Sequence, residues 1–214
     1  MRPPPDRPAA WITEEIAPIA KNIYGATKTA AEDLCRLFHR NHGLACLVLR
    51  TSRFFPEPDD DCERRSSFDE TALKVCELLY RRVDIEDVVD AHLLAVARAP
   101  ELGFDRFIIS ATSPFQHSDL AELRGAAPAV VERRVPGSRA LFEARGWTMP
   151  ADIERVYVNR HARERLGWSP RYDFQRAVTD LAEGQDYRSL LARTIGAKGY
   201  HDIEYPDGIF PIEG

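Results

Sequence analysis

An amphipathic helix followed at once by a short apolar run constrains the fold of this chain more than any other feature. Between residues 24 and 41, apolar side chains recur at helical spacing, and Gly43 is placed to end the helix. Residues 44–49 are then apolar throughout, which is typical of a central strand of a parallel sheet, buried on both faces. The pair predicts a helix packed against a parallel sheet.

The following segments continue this alternation. Apolar spacing predicts a helix over 67–79, a short extended piece over 82–85 and a strongly apolar helix over 88–97. Asp87 suits the N-cap or first turn of that last helix, because a carboxylate accepts hydrogen bonds from the free amides there. Residues 106–110 indicate a second buried strand, so the order of elements predicts the α/β class.

Smaller units make up the rest of the chain. We predict a helix from Ser118, a strand over 129–133, and helices over 138–145, 159–166 and 174–193.

Proline, glycine and polar residues mark three irregular segments. Residues 1–10 are rich in Pro and Arg, and we expect them to be disordered or extended. Residues 56–65 combine prolines with an acidic run, which predicts a surface loop. The tail from Gly196 contains much Gly, Tyr and Pro, and we expect it to dock on the body or on a partner.

Composition excludes several classes of function. The 214 residues carry a net charge of -5, which is not the balance of a nucleic-acid-binding protein. No apolar run approaches the ~20 residues of a membrane span, and the proline-rich N-terminus does not resemble a signal peptide. The four cysteines form no C-x-x-C pair. We therefore expect a cytoplasmic protein with reduced thiols and neither a membrane nor a nucleic-acid partner.

One cluster of metal-ligating residue types needs weighing. Cys35, His39, His42 and Cys46 lie within twelve residues, and Cys35 and His39 would share a helix face. Zinc requires all four to converge in tetrahedral geometry, whereas Cys46 belongs to the predicted buried strand. We expect plain packing and no metal site, with a small zinc protein as an alternative.

Tyr24 and Lys28 form the motif with the clearest chemistry. Residues four apart at the start of a helix lie on one face, with Cβ atoms ~6 Å apart. An ammonium at that distance favours the phenolate, so the tyrosine can transfer a proton near neutral pH. The lysine can also hold the ribose hydroxyls of a nucleotide. Such a pair also arises by chance, so its sequence context matters.

The context of this pair resembles a known family. The segments that carry the resemblance are Asn22–Glu32, His42–Arg50, Ser52–Pro56, Val83–His92 and Ala162–Pro170. In that order they are similar to the C-terminal part of extended short-chain dehydrogenase/reductases, the NAD-dependent epimerase/dehydratase family. The tyrosine–lysine helix and the Leu-Gly-Trp-x-Pro ending are the more specific parts. The resemblance covers roughly residues 11–184.

The resemblance implies a fold and its division. It implies the C-terminal part of a Rossmann-like doubly wound parallel sheet, with a small mixed substrate-binding region. A partial NAD(P)-binding region, interleaved with substrate-binding segments, would span 11–110. A substrate-binding region would span 111–184, and 185–214 would form a C-terminal tail.

The resemblance also implies roles for individual residues. Tyr24 matches the catalytic tyrosine, and Lys28 matches the lysine that tunes it and binds the nicotinamide ribose. Ser52, Arg53 and Phe54 match the loop that lies against the nicotinamide of NAD or NADP. The implied reaction is epimerisation, dehydration or reduction of a sugar or another small molecule, with hydride exchange. We expect Arg53, Arg81 and Arg82 to bind the substrate.

Arg53 and Tyr80 mark two departures from the family pattern, and the glycines mark a third. No two glycines are two residues apart, so the G-x-G-x-x-G fingerprint that holds the cofactor pyrophosphate is absent. Arg53 stands where nucleotide-sugar members usually have Asn, and Tyr80 stands where they usually have Arg. We therefore expect an incomplete enzyme whose substrate is not a nucleotide sugar.

Two hypotheses follow. The first is an NAD(P)-dependent epimerase, dehydratase or reductase that is truncated here or completed by a partner. The second is a catalytically inactive remnant that acts as an interaction protein, forming a homodimer through the tyrosine–lysine helix.

Overall fold

The computed structural model describes residues 3, 4, 6–56 and 66–196. The strands are β1 (Ala10–Ile12), β2 (Cys46–Thr51), β3 (Phe104–Ile109) and β4 (Arg155–Tyr157). The α-helices are α1 (Ile23–His42), α2 (Glu70–Glu77), α3 (Ile85–Leu102), α4 (Ala127–Arg134), α5 (Ser138–Ala144), α6 (Phe174–Ala182) and α7 (Leu190–Ile195). A 3-10 turn (His117–Asp119) and a π-helical turn (Ala162–Leu166) complete them.

The strands pair in parallel, which confirms the predicted α/β class. β2 pairs with β3 in the register Cys46↔Phe104 to Thr51↔Ile109. The short strands β1 and β4 pair separately, with Trp11 opposite Val156. Parallel neighbours need a crossover connection, and α3 supplies it between β2 and β3.

The β2–β3 sheet has a helix on each face. Leu49 and Phe107 share one face, where they pack with Ala91 and Ala95 of α3 and with the π-helical turn. On the opposite face the ring of His39, from α1, stacks on Phe104. The result is a three-layer arrangement of helix, sheet and helix around β2 and β3.

The expectation that the 44–49 run is a central strand is wrong for the part of the chain that the structure describes. The strand begins at Cys46, pairs on one side only, and contains no buried residue. One face of β2 meets α1 through the polar pair of Arg50 and Glu32. The strand is therefore half-exposed although its sequence is that of a buried one.

Helix α1 confirms the predicted helix and its stop. Asn22 caps it through a 2.8 Å hydrogen bond from Gly25 N to Asn22 Oδ1, and Gly43 ends it at φ 68°. No residue of this 20-residue helix is buried. Leu34 and Phe38 are 54% and 48% exposed, so the apolar stripe seen in the sequence faces outward.

The larger hydrophobic core lies elsewhere. It joins α2, α4, α5 and α6 around fully buried side chains that include Leu79, Leu123, Val130 and Phe174. The β1–β4 pair also packs against this core, through Val156 of β4.

Several predicted elements differ in type or length. The predicted strand 129–133 is wrong, because it lies in helix α4. Ala127, Val130 and Val131 are the buried positions there, and their spacing of three and four residues suits a helix, not a strand. The helix predicted over 174–193 is divided into α6 and α7, because Gly184 adopts a positive φ of 74°.

Other predictions agree more closely with the structure. Asp87 lies in the first turn of α3, and Asp84 is its N-cap. Arg82 makes an isolated bridge to Arg53, as a short extended piece should. Gly167 ends the π-helical turn at φ 78°.

The three segments predicted to be irregular have different outcomes. Ala9 is buried and Ala10 opens β1, so the N-terminal segment is packed at its end. Residues 57–65 of the predicted loop and the tail beyond Gly196 lie outside the described residues. Within the described ranges, no helix has the length and hydrophobicity to cross a membrane.

Candidate functional site

Backbone hydrogen bonds gather separate segments at the carboxyl end of β2. Arg53 N donates to Arg81 O at 3.1 Å, and Val83 N donates to Arg53 O at 3.0 Å. Tyr157 N, from β4, donates to Tyr80 O at 3.1 Å. Ligand sites in α/β proteins commonly lie beyond the carboxyl ends of parallel strands.

A cleft of about 490 Å³ opens at this point, within the range of small-ligand sites. Its walls come from the segment after β1, the first half of α1, the end of β2, and β4. The lining residues with polar or charged side chains are Thr13, Lys28, Thr29, Glu32, Arg50, Thr51, Ser52, Arg53, Arg81, Arg155 and Tyr157. Isoleucines and a proline from 12–19, together with Ile108, supply the apolar part.

Four of the predicted site residues line this cleft together: Lys28, Ser52, Arg53 and Arg81. They come from three separate parts of the sequence, since Ser52 and Arg53 are adjacent. Ser52 N donates to Ile109 O at 2.8 Å, which fixes the backbone there. The Ser52 hydroxyl is buried and has no hydrogen-bond partner among the described residues.

Tyr24 stands at the rim of the cleft, outside its lining residues. Its neighbour along the chain, Gly25, does line the cleft. The side chain of Tyr24 is exposed. Lys28 Nζ lies over its ring, 5.4 Å from the centroid, so the pair is one turn apart as the spacing predicts.

Three predicted arginines meet at one buried glutamate. Glu77, from α2, is 2% exposed. Its Oε1 lies 2.6 Å from Arg81 Nη2 and 3.9 Å from Arg53 Nη1, and its Oε2 lies 2.8 Å from Arg82 Nε. One carboxylate is therefore shared by three guanidiniums. The buried carboxylate holds the arginines in fixed positions.

Arg82 and Phe54 line a second, smaller cavity and not the cleft. Arg82 is buried, and its Nη1 donates to Phe55 O at 2.9 Å. The rings of Phe54 and Phe55 lie 4.1 Å apart. Phe54 was expected beside Lys28 and Ser52 at the cofactor, and Arg82 beside Arg53 and Arg81 at the substrate. The structure places both in the lining of a different cavity.

Arg50 lies in β2, lines the cleft and connects this strand to α1. Its guanidinium donates to both carboxylate oxygens of Glu32, at 2.9 and 2.7 Å, and to Glu14 O at 3.3 Å. The hydrogen bond with Glu32 raises the pKa of Arg50. The Glu14 side chain in turn accepts a 2.7 Å hydrogen bond from Ile108 N. This network fixes the orientation of α1 on the sheet.

Arg155 is the cleft residue that sequence reasoning missed. It lies in the three-residue strand β4, which is too short to show an alternating pattern. Its Nη2 lies 2.6 Å from Glu154 Oε1, and its Nε is buried without a hydrogen-bond partner in the described part of the chain.

The zinc alternative does not hold in the structure. Among the described residues, no group of three or more His, Cys, Asp or Glu side chains is arranged to hold a metal. His39 Nδ1 lies 2.9 Å from Leu44 O, and the His42 ring packs against Phe38. Burial raises the pKa of the Cys46 thiol, and the neighbouring Cys35 acts in the same direction.

Comparisons with known proteins give structural likenesses at low sequence identity. No protein-family profile matches the chain, and no curated protein matches it. Similar solved structures include UDP-N-acetylglucosamine 4-epimerase from Bacillus cereus, with 17% identity and a TM-score of 0.47 over 79% of this chain and 53% of that chain. RMD from Pseudomonas aeruginosa, complexed with NADPH, has 20% identity and a TM-score of 0.45 over 83% of this chain and 60% of that one.

A third similar structure is UDP-glucose 4-epimerase from Thermotoga maritima with UDP-glucose. It has 20% identity and a TM-score of 0.37, over 75% of this chain and 53% of that one. The chain thus spans between about half and three fifths of the length of these solved structures.

Proposed function

We propose that this chain carries the proton-transfer and substrate-binding part of an NAD(P)-dependent epimerase, dehydratase or reductase. The observation that carries the proposal is the convergence of Lys28, Ser52 and Arg53 on one cleft, with Tyr24 at its rim. Spacing selected Lys28, and the family resemblance selected the adjacent Ser52 and Arg53. That these two segments meet at one cleft is an independent observation. The substrate is a small hydroxylated molecule, sugar-derived or similar.

Tyr24 transfers the proton in this proposal. Its side chain is exposed in the first turn of α1, and the ammonium of Lys28 lies over its ring. Tyr24 would accept a proton from a substrate hydroxyl, or return it, while Arg53 and Arg81 hold the substrate.

The cleft suits the nicotinamide end of the cofactor. Lys28 and the buried, unpaired Ser52 hydroxyl would hold the ribose hydroxyls, and the backbone at 52–53 would lie beside the ring. When bound, NAD or NADP supplies hydride exchange at the substrate carbon. No glycine-rich turn joins a strand to a helix among the described residues, since the segment between β1 and α1 contains no glycine.

A further polypeptide layer would complete this enzyme. Two observations support that part of the proposal. Among the described strands, β2 pairs on one side only, although its apolar sequence suits a central position. Helix α1 buries no residue on the described part of the chain. Such a layer would hold the cofactor pyrophosphate.

Titration calorimetry with NADH and NADPH tests the proposal. We expect the wild-type chain to bind at least one of them, and Lys28→Met to weaken that binding at least about tenfold. Lys21→Met is the matched control, because Lys21 is an exposed residue just before α1, outside the cleft. Equal affinity of the wild type and Lys28→Met would overturn the proposal.

The exposed apolar face of α1 favours a second candidate function. Leu34, Leu37 and Phe38 are each more than a third exposed, and they lie on one side of the helix. In this alternative the chain is a catalytically inactive interaction protein that forms a homodimer through α1. Concentration-dependent mass without nucleotide binding would favour it.

A further inference from the structure

Two thiols that the proposed chemistry does not use meet between helix α1 and strand β2. Cys35 lies on α1, and Cys46 is the first residue of β2. The two side chains are in hydrogen-bond contact, and each residue is a partly exposed free cysteine. Cys76, on α2, is also free but is buried. The contact between Cys35 and Cys46 therefore brings two accessible nucleophilic sulfur atoms together.

An ion pair holds α1 against β2 on one side of these thiols. Side chains alternate along a strand, so Cys46 and Arg50 lie on the same face of β2. The Arg50 guanidinium donates to both carboxylate oxygens of Glu32 on α1, at 2.9 and 2.7 Å. Cys35 follows Glu32 by three residues and therefore lies on the same side of the helix. Both thiols thus belong to the faces through which α1 and β2 meet.

An aromatic contact holds α1 against the sheet on the other side of the thiols. His39 follows Cys35 by four residues, and its ring stacks on Phe104 with 6.0 Å between the centroids. Phe104 is the partner of Cys46 in the parallel register of β2 and β3. His39 Nδ1 also lies 2.9 Å from Leu44 O, in the connection from α1 to β2. The two thiols are therefore enclosed by contacts that fix the helix on the sheet.

The chain between the two cysteines is already folded back on itself. Cys35 and Cys46 are eleven residues apart, and Gly43 ends α1 between them at φ 68°. A disulfide requires sulfur atoms at about 2.05 Å and Cα atoms about 4.4–6.8 Å apart. Because the two thiols are already in contact, only a small approach of α1 to β2 is needed, and the turn at Gly43 is kept.

We propose that Cys35 and Cys46 form a reversible disulfide in the presence of a peroxide, which ties α1 covalently to β2. A thiolate attacks hydrogen peroxide: an S–O bond forms, the O–O bond breaks, and the departing hydroxide takes the thiol proton and leaves as water. The second thiol attacks the resulting sulfenic acid, so that the S–S bond forms, the S–O bond breaks and a second water leaves. The two thiols lose two electrons, and one peroxide is reduced to two waters.

The environment of Cys46 sets the order of the two steps. Burial raises the pKa of the Cys46 thiol and so lowers its thiolate fraction. Cys35 therefore makes the first attack, and Cys46 resolves the sulfenic acid from its place against Cys35.

The disulfide would join two walls of the cleft. Lys28 lines the cleft from α1, and Arg50 and Ser52 line it from the end of β2. A covalent link between these two elements limits their relative movement. It also closes a loop in the unfolded chain, which stabilises the folded state. The inference concerns the thiols and does not depend on the nicotinamide chemistry.

Peptide mapping of the full chain tests the proposal. The chain is reduced, desalted, treated with hydrogen peroxide, blocked with N-ethylmaleimide and digested with trypsin without reductant. Trypsin cleaves between the two cysteines, after Arg36 and Arg40, and leaves them on peptides 29–36 and 41–50. We expect these two peptides to be joined, with a mass two hydrogen atoms below their sum. Dithiothreitol should separate them, and non-reducing electrophoresis should show the joined form in the monomer band.

Urea unfolding gives a second readout. The midpoint of the peroxide-treated chain should rise by about 1 M and return to its starting value after reduction. Cys35→Ser and Cys46→Ser should each abolish both the joined peptides and the redox-dependent shift. Cys76→Ser is the matched control and should keep both, because Cys76 lies on α2, apart from the thiol pair.

Three results would overturn the proposal. The first is that peptides 29–36 and 41–50 remain unjoined after peroxide treatment, whether alkylated or further oxidised. The second is a joined form confined to a disulfide-linked dimer band. The third is a disulfide from Cys35 or Cys46 to Cys62 or Cys76 in place of the expected one. The wild-type peptide map decides among these results even if a serine variant does not fold.

Discussion

Lys28 Nζ lies over the ring of Tyr24, 5.4 Å from its centroid, on the first two turns of α1. The ammonium thus contacts the face of the aromatic ring from one helical turn away. Cation–π attraction holds the two side chains together at the mouth of the cleft. The positive charge of Lys28 therefore acts on the Tyr24 ring directly, and no other residue is needed for this contact.

Tyr24→Phe should abolish hydride exchange without unfolding the chain. Removing a proton-transfer group costs about 10²–10⁴-fold in rate. The side chain is exposed, so the free energy of unfolding should change by less than about 0.5 kcal/mol. The change in nicotinamide absorbance measures the rate of hydride exchange. Urea unfolding measures the free energy of unfolding. A rate within threefold of wild type would contradict the role of Tyr24.

Glu77→Gln should be strongly destabilising. Glu77 is buried beside three arginines, and the neutral amide would remove the carboxylate that pairs with them. Breaking a buried ion pair by removing one partner costs about 3–5 kcal/mol. Glu70→Gln is the matched control on the same helix, since Glu70 is exposed and should cost less than about 1 kcal/mol. Similar urea midpoints for the two variants would refute the structural role of Glu77.

Glu32→Gln tests the connection between α1 and the sheet. Glu32 accepts two hydrogen bonds from Arg50, and both side chains are mostly buried. We expect a loss of about 2 kcal/mol in unfolding free energy. Asp180→Asn removes the more exposed pair with Arg176 and should cost about 0.5 kcal/mol. Equal losses would show that the Arg50 pair contributes no more than a surface pair.

Asp87 should make stability depend on pH. Burial raises the pKa of Asp87 to about 6, although backbone amides of Arg171 and Tyr172 donate to its carboxylate. A carboxyl whose folded pKa exceeds its unfolded value of 3.8 stabilises the fold most below pH 3.8. That contribution is lost as the pH rises through about 6.

Asp87→Asn removes this titration. Between pH 7.5 and 4.5, the unfolding free energy of the wild type should therefore rise by about 2 kcal/mol relative to Asp87→Asn. Urea unfolding of both proteins at the two pH values measures the difference. A difference that stays constant with pH would show that Asp87 titrates as an ordinary carboxyl.

The homodimer proposal predicts which face of the chain associates. Leu34→Asp with Phe38→Asp should lower the sedimentation mass to that of a monomer. Leu93→Asp with Val96→Asp is the matched control, since those side chains are also exposed and apolar but belong to α3. Loss of association in both double variants, or in the control alone, would contradict a dimer through α1.

Local patterns in the sequence were sufficient to predict the helices and strands nearest the cleft. Helix α1, its stop at Gly43 and the parallel pairing of β2 with β3 follow from apolar spacing and glycine placement. The strand predicted over 129–133 failed because two consecutive valines suit a strand locally, while burial of Ala127 with them makes a helix.

The cleft was harder to predict than the elements around it. Lys28 was found by its spacing from Tyr24, and Ser52 by the family resemblance of the segment after the first strand. Arg155 was not, because its place depends on the pairing of β4 with β1, which joins residues far apart in sequence. The sequence also could not show that the predicted arginines line two different cavities. Arg82 follows Arg81 directly, but only Arg81 lines the cleft.

Chemical-shift mapping with nicotinamide riboside tests the central claim most directly. This probe has no phosphate, so it reports on the nicotinamide end of the cofactor alone. Added to the ¹⁵N-labelled chain, it should shift the backbone amides of Lys28, Ser52 and Arg53, and Lys28→Met but not Lys21→Met should abolish the shifts. Shifts confined to residues outside the cleft, or none at all, would contradict the assignment of this cleft to a nicotinamide cofactor.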